Sequence, residues 1–219
     1  HVRCFDVRGA CGGWVSAMWL AQALIETEAC RRIIVVNAEF PMRKGGAITP
    51  KLFSLSSAEE LAWRFPAFTL GEGVVATVVD SDPDNRWSFT DITRNNYWDL
   101  CTVTPPWQTE CIAKSTRVAM DGLCIFTSYG AELRKHGAPL TFEVFRRSGI
   151  DPNAVDILFT HSSSAKDWSN AASIVKLSDK IFDVYSTFGN VVSAAVPLAM
   201  AQAVKDGVLT RGMRVAVWV

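Results

Sequence analysis

Net charge, long hydrophobic runs and paired cysteines are all missing from this chain, and each absence excludes something. Its 22 acidic and 22 basic side chains cancel, so it lacks the basic face through which proteins usually hold nucleic acid. No apolar run approaches the roughly 18 residues of a membrane span, and no signal-peptide pattern opens the chain, so no membrane partner is expected. The six cysteines, Cys4, Cys11, Cys30, Cys101, Cys111 and Cys124, form no CxxC pair and follow no regular spacing. Zinc ligation and a disulfide scaffold are therefore not expected, and reduced thiols in a cytoplasmic enzyme are the simplest reading. What the chain does have is apolar residues, 49% of 219, enough to fill one large core or two small ones. It opens on His1 in a strand-like run and stops on the apolar "RGMRVAVWV", which reads as an internal stretch of a longer protein.

The periodicities alternate between strand and helix. "HVRCFDV" alternates like a strand, "GWVSAMWLAQALIETEAC" carries a helical stripe, and "RRIIVVNAEF" is a short continuous apolar run. Together they predict a βαβ unit and a parallel sheet. "GEGVVATVVD" and "RWSFTDIT" predict two more strands around the turn "SDPDN". Residues 97–107, with "TPPW", read as a linker or active-site loop, and 109–135 and 139–149 as helices. A second series comes after them: strand "AVDILFTH", helix 164–177, strand "KIFDVYSTFGN", helix 191–206 and strand "MRVAVWV". The expected architecture is α/β in two halves, 1–104 and 105–219.

Three positions could carry chemistry. Cys11 lies among Gly9, Gly12 and Gly13 where a strand turns into a helix. There, unpaired backbone N–H groups and the helix dipole favour the thiolate and can hold an oxyanion. A packed, inert thiol is the alternative. His161 ends the apolar strand "VDILFT", at the sheet edge where α/β folds bind ligands. A strand-end histidine satisfied by nearby hydroxyls reads the same way. His136 sits in "ELRKHGAP" and reads as a solvated helix end. Asn190, in "STFGNVVSAAVPLAM", opens a helix and on its own would be an N-cap.

Taken in order, these segments resemble the thiolase superfamily, in its β-ketoacyl-acyl carrier protein synthase III branch. "RGACGGW" resembles that family's A-C-x-G-[FW] nucleophile segment, "GEGVVATVV" its G-[DE]-G-x-x-A strand, and "VDILFTH" its catalytic-histidine strand. "FGNVVSAAVPLAMAQAVKDGVLTRGMRV" resembles its G-N-x-x-S-x-x-x-P-x-A helix together with the G-x-[IL]-x-x-G-x-x-V run that succeeds it. The resemblance implies a thiolase-like fold, with mixed sheets covered by helices in αβαβα layers. It also implies roles: Cys11 takes an acyl group as a thioester, while His161 and Asn190 bind the second thioester's carbonyl and assist its decarboxylation. Lys166 falls where the family tends to carry a basic residue facing its carrier protein. The implied substrates are acyl-CoA or acyl carrier protein and a malonyl thioester. No further cofactor is implied, and the implied assembly is a homodimer or a related heterodimer. Primary fatty-acid and polyketide-type pathways both stay open.

The chain departs from the family at "THSSSA", where P-H-Q-A-N is usual. It also lacks the family's opening strands and its glycine-rich final segment, so residues 1–219 alone are expected to be inactive in condensation. Acyl transfer or thioester hydrolysis on the same fold is one alternative, and a catalytically degenerate partner subunit is another. "GACGG" also satisfies the G-x-C-x-G elbow of α/β-hydrolases. That reading would need Asp151 or Asp156 to orient His161, and it leaves Asn190 unexplained.

Overall fold

β-branched runs bounded by charge form the two longest strands, and the register of their pairing fixes one wall of the fold. A computed structural model describes residues 3–82, 85, 87–111 and 113–219. Among these, the helices in chain order are α1 (Gly13–Glu26), α2 (Leu61–Arg64), α3 (Pro66–Thr69), α4 (Gly130–Ser148), α5 (Ala165–Ile174), α6 (Tyr185–Phe188) and α7 (Ala195–Lys205). The strands are β1 (Arg32–Glu39), β2 (Gly73–Asp80), β3 (Cys101–Val103), β4 (Phe126–Ser128), β5 (Ile157–Thr160), β6 (Ile181–Phe182) and β7 (Val215–Trp218). The chain divides into two compact units, His1–Glu39 with Gly71–Thr90 and Ser148–Val219, and Phe40–Leu70 with Asp91–Arg147. This division by packing does not follow the halves 1–104 and 105–219, and it puts Cys11, His161, Lys166 and Asn190 all in the first unit.

In that unit β1 and β2 pair antiparallel along their full length, from Arg32 opposite Asp80 to Glu39 opposite Gly73. β5 is the middle strand of a parallel sheet, with β6 on one side and β7 on the other. All four β5 residues are buried, which is what a strand covered on both faces demands of "ILFT". α1 and α7 join the two sheets through one core. Trp14 and Met18 of α1, Ile157 and Phe159 of β5, and Val196, Ala199 and Ala203 of α7 pack together, with Val35 and Val79 against them. Trp14 Nε1 also donates to Thr77 Oγ1 of β2 at 2.9 Å, so the indole fixes the helix's position as well as its burial.

Several sequence expectations fail here, each for a physical reason. Within "HVRCFDV", His1 and Val2 lie outside the described residues, and residues 3–7 are exposed and form no ladder. Alternation makes a strand only where a neighbour supplies hydrogen bonds, so the expected βαβ unit is not formed and β1 pairs antiparallel with β2. In "RWSFTDIT", Arg86 lies outside the described residues and 87–93 form no strand. Trp87 instead meets Trp14 edge-on and stacks on Phe89, with centroids 5.9 and 6.0 Å apart. "KIFDVYSTFGN" gives only the two-residue β6 before the chain turns into α6.

The second unit holds a smaller core of Ile48, Leu52 and Ala67 and the antiparallel ribbon β3–β4. Residues 109–111 and 113–129 are not the expected helix. Ala119, Gly122 and Cys124 all have positive φ, and polar ties hold the segment open. Arg117 bonds Asp99 and Glu132, and Ser115 Oγ donates to Asp99, which holds that carboxyl below its usual range. α4 begins only at Gly130 and runs through Pro139 as one helix rather than two. Pro139 and Lys135, whose carbonyl the proline ring leaves unpaired, are both exposed, so water can bond that oxygen. His136 lies within α4, stacked on Tyr97 with centroids 4.0 Å apart, and is not a solvated helix end. Arg64, only 7% exposed, is neutralised by Asp121 and Glu60 and donates to the Ser54 carbonyl, as a buried charge requires.

Gly71 lies where its backbone N–H donates to the Asn190 carbonyl at 2.9 Å, and a Cβ there would sit 1.8 Å from the Phe188 carbonyl oxygen. Gly71→Ala is expected to lower stability by about 1–3 kcal/mol. Gly12→Ala, where a Cβ meets nothing within 4 Å, should change it by no more than about 0.5 kcal/mol. Urea unfolding of the two variants checks the contrast.

Candidate active site

The turn Ala10–Gly12 carries Cys11 and leads directly into α1. It is tight because Ala10 adopts φ +44° and the Gly12 N–H donates to the Gly9 carbonyl at 3.0 Å. Gly9 is required by space, since a Cβ there would lie 2.9 Å from the Gly13 Cα. No side chain caps α1 and no acidic residue sits in its first turn, while the Gly13 N–H donates to the Ala10 carbonyl, so the positive end of the helix dipole lies at the Cys11 turn without a neutralising side chain. Cys11 is half-buried and in no disulfide. Cys101, by contrast, is a thiol whose pKa burial pushes up, the signature of an inert packed cysteine.

The turn Val192–Ala194 packs against the Cys11 turn. The contact is close: a Cβ on Gly13 would lie 3.2 Å from the Ser193 Cβ. Asn190 begins this region. Its Oδ1 accepts from the Val192 N–H at 3.0 Å and its carbonyl accepts from Gly71. It is therefore not the N-cap of α7, a position that falls to Ala194. With Oδ1 committed to the backbone, the side-chain amide nitrogen is the donor left to a ligand.

His161 comes directly after β5, and its N–H donates to the Trp218 carbonyl at the end of β7 (3.2 Å). The side chain is 8% exposed, and burial drives its pKa down from 6.5 to about 4, so the imidazole is neutral at physiological pH. Nδ1 is buried with no hydrogen-bond partner among the described residues, which is the opposite of a histidine satisfied by neighbouring hydroxyls. The serines after it have other work: Ser163 Oγ accepts from Trp168 Nε1, and Ser164 Oγ caps α5 by accepting from the Asp167 N–H. Lys166 is exposed on the first turn of α5.

The hydrolase alternative fails on geometry. Asp156 precedes β5, at the end opposite His161, and accepts from the Arg214 N–H at 2.7 Å. Asp151 caps a short turn by accepting from the Asn153 N–H. In the segment 97–107, Tyr97, Trp98 and Trp107 are 38%, 39% and 64% exposed, while Leu100 is buried. Sequence reasoning missed Asn37 and Glu39, at the C-terminal end of β1, which hold Ser193. Asn37 Nδ2 donates to Ser193 Oγ at 3.0 Å, the Ser193 N–H donates to Glu39 Oε1 at 3.2 Å, and Ser193 Oγ donates to the same oxygen. The available signal was two polar side chains closing an otherwise apolar strand. Among the described residues, no group of three or more His, Cys, Asp or Glu could hold a metal, and no helix is long and apolar enough to cross a membrane.

Two packed turns at the starts of α1 and α7, and in the same unit a buried histidine at the end of the middle strand of a parallel sheet, fit a thiolase-like α/β protein. The chain belongs to the 3-oxoacyl-[acyl-carrier-protein] synthase III family: that family's description matches residues 5–43 and its C-terminal counterpart matches residues 145–219. Among relatives, β-ketoacyl-[acyl-carrier-protein] synthase III of Shewanella oneidensis is 24% identical over 214 residues, covering 96% of this chain and 61% of that protein. The enzyme of the same name from Methylococcus capsulatus is 26% identical over 216 residues, with the same coverage. This chain thus spans about three-fifths of the length of these relatives. The fold matches Xanthomonas campestris OleA with bound lauric acid and lauroyl-CoA, at a TM-score of 0.77 and 20% identity over 97% of this chain and 61% of that one. It also matches 3-oxoacyl-[acyl-carrier-protein] synthase III from Aquifex aeolicus, at 0.71 and 20% over 99% and 62%.

The depressed pKa of His161 sets a pH dependence of stability. Below about pH 6.5 the unfolded chain takes a proton at this histidine that the folded chain refuses until about pH 4. Protonation in that window therefore favours unfolding, and stability falls with falling pH by up to about 3 kcal/mol. His161→Gln should flatten the pH 4–6.5 limb of the stability curve relative to the unaltered protein, as read by urea unfolding at stepped pH.

Proposed function

We propose that this protein is a condensing acyltransferase with Cys11 as its nucleophile. The Cys11 thiolate attacks the carbonyl of an acyl-CoA or acyl-carrier-protein thioester and expels the donor thiol, leaving an acyl-Cys11 thioester. A malonyl thioester then loses carbon dioxide, and the electron pair of the broken C–C bond passes to an enolate oxygen that His161 and Asn190 stabilise by hydrogen bonding. The resulting carbanion attacks the acyl-Cys11 carbonyl, and expulsion of the Cys11 thiolate releases a β-ketoacyl thioester.

The single observation that carries this reading is the packing of the Cys11 turn on the turn just after Asn190. The state of His161 supports it further. A neutral imidazole can hydrogen-bond an enolate oxygen without pairing with the Cys11 thiolate. Lys166, exposed beyond His161 on α5, is the proposed contact for an acidic carrier protein. On this reading 1–104 and 105–219 are the two halves of the thiolase-like repeat, and the working protein pairs with itself or a related subunit.

Condensation and simple acyl transfer separate on one product. The protein as encoded in full, given an acyl-CoA and a carboxyl-labelled malonyl thioester, should release labelled carbon dioxide. Asn190→Ala and His161→Ala should each slow that release by about 100-fold or more. Acyl transfer to an alcohol, amine or water with no labelled carbon dioxide would contradict condensation and favour the non-condensing alternative.

A further inference from the structure

Asn190 can serve as a donor only if the backbone around it is held in an unfavourable shape. Gly189 adopts φ +68° and Val192 φ +47°, the latter a left-handed conformation that β-branched residues rarely adopt. In that turn the Val192 N–H reaches Asn190 Oδ1, which commits the amide oxygen and leaves the amide nitrogen as the side chain's donor. Two restraints act within 190–192 itself, the Gly71 N–H bonded to the Asn190 carbonyl and the burial of Val191. A further restraint comes from the next residue, Ser193, and from the far end of β1. Glu39 Oε1 accepts both the N–H and the Oγ–H of Ser193, while Asn37 Nδ2 donates to the same Oγ. Ser193 also lies against Gly13, two residues beyond Cys11.

We propose that Glu39 is a positioning residue for the carbonyl-binding amide of Asn190, acting through Ser193. A charged acceptor of two hydrogen bonds from one residue is a strong tether. It ties the strained turn to β1, whose own place is set by its full-length pairing with β2. Glu39 touches neither substrate nor reacting atoms on this account. It acts only by keeping Val192 where its N–H orients Asn190. The inference rests on the role proposed for Asn190 above, and its consequences fall on decarboxylation rather than on acylation of Cys11.

The test is a coupling measurement on the protein as encoded in full. Labelled carbon dioxide release from a malonyl thioester is measured for Glu39→Ala, Glu39→Gln and Ser193→Ala, each with and without Asn190→Ala. Thermal midpoint and acyl loading of Cys11 are measured in parallel. Glu39→Ala and Ser193→Ala are expected to slow release about tenfold or more with Asn190 present and to have no further effect once Asn190 is alanine. Glu39→Gln, whose amide oxygen can still accept from Ser193, should recover most of the rate. Loading of Cys11 should stay within about twofold throughout. Ser193→Ala keeps the Cβ that packs on Gly13, so it carries the test alone if Glu39→Ala does not fold. Unchanged release, or equal slowing whether Asn190 is present or absent, would overturn the positioning role. No release from the unaltered protein would overturn the reading of Asn190 itself, and the positioning role with it.

Discussion

The close approach of two turns, Ala10–Gly13 and Asn190–Ala194, is the constraint on which the rest of the first unit depends. It requires glycine at 9, where a Cβ would clash with the Gly13 backbone, and favours it at 13, where one would crowd Ser193. It also fixes the starts of α1 and α7, the two helices whose apolar faces share one core with β5. The helices' burial and the thiol's placement are thus one arrangement.

Polar groups hold this arrangement where packing alone would not. Asn37 and Glu39 grip Ser193, the Gly71 N–H grips the Asn190 carbonyl, and Trp14 grips Thr77. Each joins segments far apart in the chain, and each is at least half-buried, where a hydrogen bond is worth most and an orphaned partner costs most. His161 Nδ1, by contrast, is buried without a partner among the described residues, as are Gln22 Oε1 and Asn37 Oδ1 in the same unit.

Much of this was legible in the sequence because the motifs carry local physics. Gly9 precedes Cys11 since the tight turn leaves no room there for a Cβ, "ILF" is continuously apolar since β5 is buried throughout, and Gly189 precedes Asn190 since the turn there has positive φ. The failures share a different cause. "HVRCFDV" and "RWSFTDIT" have strand patterns, yet a strand exists only where a ladder partner lies beside it, and local pattern carries no information about partners. Residues 109–129 look helical by periodicity, yet Arg117, Asp99 and Glu132 bind across the segment and positive φ at Ala119 and Cys124 breaks it. Glu39 and Asn37 escaped notice for the same reason, since their partner Ser193 lies far away in sequence.

The central claim is that the Cys11 thiol is placed to accept an acyl group. Intact-protein mass spectrometry after incubation with short- and medium-chain acyl-CoAs and acyl carrier proteins tests it directly, with Cys11→Ala alongside. A mass gain of one acyl group is expected on the unaltered protein and none on the variant. Loading that survives in Cys11→Ala, or no loading from any of these donors, would contradict it.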